Sequence, residues 1–268
     1  MDTSHDPSTR VIPASVASDE ASPEYGPIRR WILLTTAIVQ FISPTFFQFS
    51  GSATDPPITP PGVFFSIWGL ITTGCLAVAL WGFPTRRAAV APYRHVQLPL
   101  SITQILFACW LAAATSPGDR YRFLTLPIFM GMLAGVSAAL AAVQRTANDG
   151  GDALTSHLLS GVLGLYAGWS TPAIWLNLGA LLPTGLLMGA NGTALQAGLV
   201  GAAVVSVIGG NYLSNSNVGY SLASAWALTG VLISSVKTEL MPVAVTAGIG
   251  LAVLVSRLVG VVRFHMGA

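Results

Sequence analysis

The feature that most constrains this chain is a long uncharged segment, Pro60 to Phe83. It contains no Asp, Glu, Lys or Arg, and most of its residues are apolar. About 20 such residues, at about 1.5 Å each along a helix, cross the hydrocarbon layer of a bilayer. Pro60 and Pro61 fit the first turn of a helix, because a proline lacks the N–H that would be unpaired there. The segment therefore predicts a transmembrane helix.

The composition extends this prediction to the whole chain. Only 8% of the 268 residues are charged and 53% are hydrophobic, whereas soluble domains are about 25% charged. So few charged groups cannot cover a water-facing surface of this size, and membrane lipid is the expected partner. The net charge of +2 does not indicate nucleic acid as a partner. The 28 glycines suit close contacts between helices in a bilayer.

Seven further apolar segments predict an all-α, polytopic membrane bundle of about eight helices. Gly209-Gly210-Asn211 is expected to interrupt the sixth of the eight spans. In chain order, the other predicted spans are Trp31–Phe49, Val96–Ala114, Phe123–Val143, Leu154–Leu178, Leu195–Leu213, Val218–Val236 and Leu240–Val262.

The distribution of basic residues predicts the orientation, since Lys and Arg are retained on the cytoplasmic side. With eight spans and a cytoplasmic amino terminus, only Arg120, Arg122 and Lys237 fall outside, and the other basic residues fall inside. We therefore expect a multi-pass protein of the cell membrane with both termini in the cytoplasm. Residues 1–28 are rich in Ser, Pro, Asp and Glu and predict a disordered cytoplasmic tail.

Catalytic chemistry has little support in the sequence. All ten Asp and Glu residues lie in the tail, in loops or at span ends, and the four histidines are scattered. Cys75 and Cys109 both fall within predicted spans, where cysteine is usually a small apolar side chain. No catalytic residue, no metal site and no obligatory cofactor is predicted, and the chain is not expected to be an enzyme.

Tryptophans and amides inside the spans are the remaining candidates. Trp68, Trp110 and Trp169 lie within spans, as do Gln104 and Asn177. An indole N–H or an amide buried in hydrocarbon needs a hydrogen-bond partner. These side chains could therefore hold helices together, or they could line a pocket with flat walls and a few polar contacts. The residues alone leave both interpretations open.

Two motifs resemble those of the tryptophan-rich sensory proteins, the TspO/MBR (translocator protein) family. The segment Thr59-Pro-Pro-Gly-Val-Phe-Phe-Ser-Ile-Trp-Gly-Leu-Ile71 is similar to the second-helix signature of the longer bacterial members. In the fifth span, Trp169-Ser-Thr-Pro-Ala173-Ile-Trp-Leu176-Asn177 is similar to the family's Trp-x-x-x-Ala-x-x-Leu-Asn. Two weaker similarities to the family are Gln104 with Trp110 in the third span, and Tyr220 to Leu228 in the seventh.

This resemblance implies a domain organisation and a site. It implies a five-helix core at residues 29–182, followed by a three-helix extension at residues 183–268. The core would enclose a pocket that is closed by the link between the first two helices. Relatives of the shorter type bind porphyrins, sterols and synthetic aromatic ligands. Carried over by position, the ligand-binding residues would be Pro60, Trp68, Gln104, Trp110, Trp169, Ala173 and Asn177.

The leading hypothesis is a membrane receptor or sensor that binds a flat hydrophobic ligand, such as a porphyrin, haem or another tetrapyrrole. The alternative is a transporter of small amphipathic molecules, indicated by the eight spans and by expected helix breaks at Pro172 and Gly209. Small residues at four-residue spacing, Gly131 with Gly135 and Gly164 with Gly168, predict close helix packing. We expect this packing to lie within the bundle, while a homodimer stays open.

Overall fold

The computed structural model describes residues 25–47, 55–146 and 153–266, and it confirms the all-α prediction. Over these ranges the chain forms α-helices joined by short turns, with no β-strand. Most of the predicted tail lies outside the described residues. The helices are α1 (Tyr25–Phe46), α2 (Ile67–Trp81), α3 (Thr85–Ala88), α4 (Ala91–Ala114), α5 (Thr125–Thr146), α6 (Ala153–Leu181), α7 (Gly189–Leu213), α8 (Val218–Lys237) and α9 (Met241–Met266).

The long helices coincide with the predicted spans, and most of them can cross a membrane. Within the described ranges, six helical segments are long and apolar enough to do so. α1 and α6 are not among the six, and membrane crossing by these two helices stays a prediction. The six segments are 62–81, 91–114, 122–146, 189–213, 218–237 and 241–260.

The expected break at Pro172 is wrong, because α6 continues through this residue. Pro172 cannot donate the backbone hydrogen bond that the Gly168 carbonyl would otherwise accept. The hydroxyl of Ser224 in α8 donates to that carbonyl instead, at 2.9 Å. A neighbouring helix thus supplies the missing donor, which is how membrane helices tolerate proline.

The expected break at Gly209-Gly210-Asn211 is also wrong, since α7 runs without interruption to Leu213. A side chain at Gly210 would collide with the hydroxyl of Tyr220, because a Cβ atom there would lie 2.0 Å from that oxygen. The Asn211 side chain donates to Ser221 at 2.7 Å and accepts from Arg257 at 2.9 Å. These residues therefore serve helix packing and leave the helix intact.

The small-residue pairs contact neighbouring helices within the bundle. A Cβ at Gly168 would meet the Tyr220 carbonyl of α8 at 2.2 Å, and one at Gly135 would meet Thr103 of α4 at 2.3 Å. Only glycine permits these approaches. Gly164 contacts Asn217, at the start of α8, in the same way. The homodimer is not tested by these contacts and stays a prediction.

Two apolar clusters hold the bundle together. The larger one, which we call the core cluster, lies among α1, α2, α4, α5 and α6 and also includes three residues of α8. The smaller one, which we call the aliphatic cluster, lies among α7, α8 and α9 and contains Ile58 from the link before α2. α6 contacts both α7 and α8, and therefore connects the two groups of helices.

Candidate functional site

A cavity of about 310 Å³ lies at the end of the bundle where α4 and α6 end and α5 begins. Its walls come from α2, α4, α5, α6, the turn after α4 and the segment before α2. The apolar lining consists of Phe65, Trp68, Trp110, Ala114, Phe129, Trp169, Ala173, Leu176 and Ala180. The polar lining consists of Asp55, Thr59, Thr115, Ser116, Asp119, Arg122, Thr125 and Asn177.

Trp68 is the centre of an aromatic cluster that forms the inner wall. It is the second residue of α2, which follows a 3₁₀ turn at Gly62–Ser66. Most of the rings around it meet edge to face or tilted, which are the favourable arrangements for aromatic pairs. Its ring centroid lies 4.7 Å from Phe107, 5.6 Å from Tyr166, 5.9 Å from Trp110 and 6.3 Å from both Phe129 and Trp169.

A hydrogen bond between two helices fixes the amide in the cavity wall. The indole N–H of Trp110 in α4 donates to the Oδ1 of Asn177 in α6, at 3.2 Å. The Nδ2 of Asn177 donates to the carbonyl of Ala173, one turn earlier, at 2.8 Å. Both bonds hold the amide in one orientation, so a ligand would meet a fixed polar group rather than a rotating one.

The mouth of the cavity is charged. Asp55, Asp119 and Arg122 all line it, and Nη1 of Arg122 lies 3.4 Å from Oδ2 of Asp119. Arg122 also donates to the carbonyl of Ala180, in the last turn of α6. Carbonyls there lack a helical partner, and a basic side chain commonly supplies one. The cavity therefore has an apolar interior and a charged, water-exposed mouth.

Five of the seven residues predicted to bind a ligand line this one cavity. They are Trp68, Trp110, Trp169, Ala173 and Asn177. Leu176, which belongs to the same fifth-span motif as Trp169, Ala173 and Asn177, lines it as well. The convergence joins residues from α2, α4 and α6. Ligand binding by any of these residues stays a prediction, because convergence shows where they lie and not what they bind.

The structure places the other two, Pro60 and Gln104, away from the cavity. Pro60 is buried against α8, where a Cβ built at Gly230 would lie 2.8 Å from the Pro60 Cβ. Gln104 is fully buried and accepts a hydrogen bond from Thr36 of α1 at 2.6 Å. The two residues therefore support neighbouring helices, and neither contributes to the lining.

Below the aromatic cluster lies a second polar group. The amide of Gln40 in α1 donates to the Tyr166 hydroxyl at 3.2 Å, and Tyr166 packs at 5.6 Å against Trp68. Gln40, Gln104 and Tyr166 are all fully buried. This group connects α1, α4 and α6 beneath the cavity floor. It supports the structural interpretation of buried amides for Gln104.

Some lining residues were not predicted from the sequence. Phe65 and Thr59 lie inside the quoted second-helix motif, so the motif contained a signal for them. Arg122 and Asp119 lie in the turn between α4 and α5, and only their rarity on that side of the membrane could have pointed to them. Among the described residues, no group of three or more His, Cys, Asp or Glu side chains could hold a metal ion.

Comparison with known proteins gives the family. A family model described as TSPO-like protein matches residues 32–260. The chain belongs to the TSPO-like family. Neither a search of curated proteins nor a search of solved structures gave a match.

The family match begins within α1 and ends within α9, so it includes all or most of every long helix. The TSPO-like assignment therefore includes the three helices predicted to be an extension, as well as the helices around the cavity. Together with the apolar helices, it shows that this TSPO-like protein is a multi-pass membrane protein. The division into a core and an extension stays a prediction.

Proposed function

We propose that this TSPO-like protein binds a flat hydrophobic ligand in the cavity and acts as a membrane receptor or sensor. The observation that carries the proposal is the convergence of Trp68, Trp110 and Trp169 with the fixed amide of Asn177 around one hollow. Rigid indole faces stack on conjugated rings, and a few placed polar groups set the orientation of a ligand. The proposal includes no chemical step.

The size of the cavity limits how a tetrapyrrole would bind. At about 310 Å³ it lies near the lower end of ligand pockets, which run from about 300 to 1,000 Å³. It corresponds to about ten water molecules at about 30 Å³ each. A porphyrin would therefore enter by one edge and keep its carboxylates at the mouth, beside Arg122. A smaller aromatic ligand of two or three fused rings would fit entirely inside.

A titration with protoporphyrin tests the proposal. Saturable quenching of tryptophan fluorescence is expected, because three of the seven tryptophans line the cavity. The variant Ala173→Phe fills the cavity, keeps every tryptophan and should abolish the saturable component. The matched control is Ala77→Phe, an exposed position on α2 that lies outside the lining. Equal quenching in both variants would contradict the proposal, since it would show non-specific partitioning.

One of the two observations that indicated a transporter, the expected helix breaks, is wrong. The helix breaks expected at Pro172 and Gly209 are not present, since α6 and α7 are continuous. A flux assay in proteoliposomes separates the two functions. Saturable binding of protoporphyrin without its movement across the bilayer supports the receptor, whereas flux that Ala173→Phe abolishes supports the transporter.

We further propose that the cavity opens away from the cytoplasm. Arg30 and Arg87 lie at the opposite end of the bundle, where Arg30 bonds to Thr85 and Arg87 stacks 3.6 Å over Trp81. Because basic residues are retained in the cytoplasm, these two arginines support a mouth on the outer side of the membrane. In a Cys109→Ser background, an impermeant maleimide should label Arg120→Cys in intact cells and spare Arg86→Cys. The reverse pattern would contradict this orientation.

A further inference from the structure

The segment that precedes α2, residues 55–66, has two faces. We call it the cap segment. Asp55, Thr59 and Phe65 line the cavity. Ile58 and Phe64 lie on the other side, and both are buried. The cap segment therefore separates the cavity from whatever packs against its second face.

The second face packs against helices that lie outside the cavity wall. Ile58 is fully buried in the aliphatic cluster, whose other members come from α7, α8 and α9. The ring of Phe64 lies 4.6 Å from that of Trp226 in α8. Apolar contact thus joins the cap segment to α8 at two places along its length. Neither α8 nor α9 contributes a residue to the cavity lining.

Two hydrogen bonds from α8 hold the backbone of the cap segment. The Ser234 hydroxyl donates to the carbonyl of Thr59 at 2.5 Å. The indole N–H of Trp226 donates to the carbonyl of Phe64 at 2.9 Å. These carbonyls lie before α2 or in the 3₁₀ turn at its start. Both bonds use side chains of α8, so they depend on the presence and position of that helix.

A glycine in α8 allows the close approach. A Cβ built at Gly230 would lie 2.8 Å from the Pro60 Cβ and 2.9 Å from the Phe64 Cγ. Any larger side chain at this position would push the cap segment away from α8 and toward the cavity. The register is consistent with the two bonds, because residues 226, 230 and 234 are one turn apart and share one face of α8.

We infer that α8 sets the position of the cap segment, so that Trp226, Gly230 and Ser234 are positioning residues for the cavity. The helices after α6 then have a role that the cavity lining does not show: they fix the wall that controls access to the site. This inference rests on the proposed function, since it concerns the same cavity. Its test, however, uses no ligand.

The test is the rate at which N-ethylmaleimide alkylates a cysteine inside the cavity. The reporter is Ala173→Cys in a Cys109→Ser background, where the native Cys75 is fully buried. Trp226→Phe keeps the ring contact with Phe64 and removes the hydrogen bond. Ser234→Ala removes the second bond. Each loss should loosen the cap segment and raise the alkylation rate about fivefold, and the double variant should show a larger increase.

The matched control is Trp175→Phe. It also loses one indole hydrogen bond, to Ser206 in α7 at 3.1 Å, and this bond does not involve the cap segment. Its rate should equal that of the reporter alone. Rates are compared only among variants whose melting temperature in detergent equals that of the reporter alone. If Trp226→Phe does not fold, Ser234→Ala is the variant that tests the inference. Equal rates for Ser234→Ala, Trp226→Phe and Trp175→Phe would overturn the inference.

Gly230→Ala gives a change of opposite sign. The added methyl overpacks the contact with Pro60 and Phe64 and pushes the cap segment toward the cavity. Access to the reporter cysteine narrows, and its alkylation rate should fall at least about threefold. Gly209→Ala is its control, because nothing lies within 4 Å of a Cβ at that position. An unchanged rate for Gly230→Ala would count against the inference.

The result is distinguishable from a failure of the proposed function. If protoporphyrin does not bind but the alkylation rates change as stated, the ligand proposal fails and the role of α8 stands. If protoporphyrin binds at the cavity and the rates do not respond to the α8 variants, the role of α8 fails and the ligand proposal stands.

Discussion

The two apolar clusters of this protein are built from different side chains, and the voids beside them differ widely in size. The core cluster contains Trp110 and Trp169, the partly buried Trp68 packs against it, and the cavity of about 310 Å³ adjoins these three rings. The aliphatic cluster contains mainly Leu, Ile and Val, and the void along it measures about 10 Å³. A void of that size barely holds one water molecule.

The difference follows from side-chain shape. Branched aliphatic side chains interdigitate and fill space to the density of an organic crystal. The rings around Trp68 meet edge to face or tilted, and because each ring is rigid, none of them can bend into the adjoining hollow. The helices around Trp68 therefore leave a hollow of about 310 Å³, whereas α7, α8 and α9 pack with almost no free volume. Unfolding of variants in detergent tests this difference between the tightly packed aliphatic cluster and the open cavity beside Trp68.

The largest effect is expected in the aliphatic cluster. Leu228 is fully buried there, and Leu228→Ala should lower the free energy of unfolding by about 2 to 5 kcal/mol, because it opens a cavity where packing is tight. The control Leu222→Ala, at a position that is 51% exposed on the same helix, should change it by less than about 0.5 kcal/mol. Equal losses at both positions would break the contrast.

The same enlargement in the two regions gives the sharpest comparison. Ala203 lines the small void, and Ala203→Leu should cost about 1 to 3 kcal/mol through overpacking. Ala173 lines the large cavity, and Ala173→Leu should leave the free energy of unfolding almost unchanged, because free space is available. A cost at Ala173 that matches the cost at Ala203 would show that the cavity is not empty space in solution.

The hydrogen bond from Ser224 in α8 to the Gly168 carbonyl in α6 joins the two regions, and substitutions at Ser224 and Pro172 test it. Ser224→Ala leaves the Gly168 carbonyl without its donor and should cost about 1 kcal/mol. In a Pro172→Ala background the new backbone N–H can bond to that carbonyl, so Ser224→Ala should then cost almost nothing. A double-mutant cycle measures this coupling. Additive effects of the two substitutions would contradict the assignment of Ser224 as the substitute donor.

The smallest effect is expected at the mouth. Asp119 is 60% exposed, and its contact with Arg122 spans only three residues along the chain. Exposed ion pairs contribute between about 0 and 1 kcal/mol, so Asp119→Asn should change the free energy of unfolding within that range. A loss above about 2 kcal/mol would show that this ion pair stabilises the fold and would contradict its assignment as an exposed, weakly coupled pair.

Much of this arrangement could be predicted from the sequence. Apolar segments located the long helices, and two motifs located Trp68, Trp169, Ala173 and Asn177. Sequence patterns failed where tertiary contacts decide the outcome. Pro172 lies within a continuous helix because Ser224, far along the chain, supplies a donor. The pattern of α6 contains no sign of that partner.

The placement of Gln104 shows a second limit. Gln104 and Trp110 are six residues apart in α4, which is about 1.7 helical turns, so they cannot share a face. Trp110 faces the cavity, and Gln104 faces Thr36 of α1. The helical period alone therefore predicts that Gln104 and Trp110 lie on different faces of α4. Arg122 and Asp119, by contrast, lie in a turn whose path only the folded protein defines.

The central claim is that the hollow beside Trp68 is a ligand site. An experimental structure of the full chain with protoporphyrin tests it most directly. The account predicts density for part of the macrocycle between Trp68, Trp110 and Trp169, with a carboxylate beside Arg122. Density for the ligand only on the lipid-facing surface, with the cavity filled by ordered water or by collapsed side chains, would contradict it.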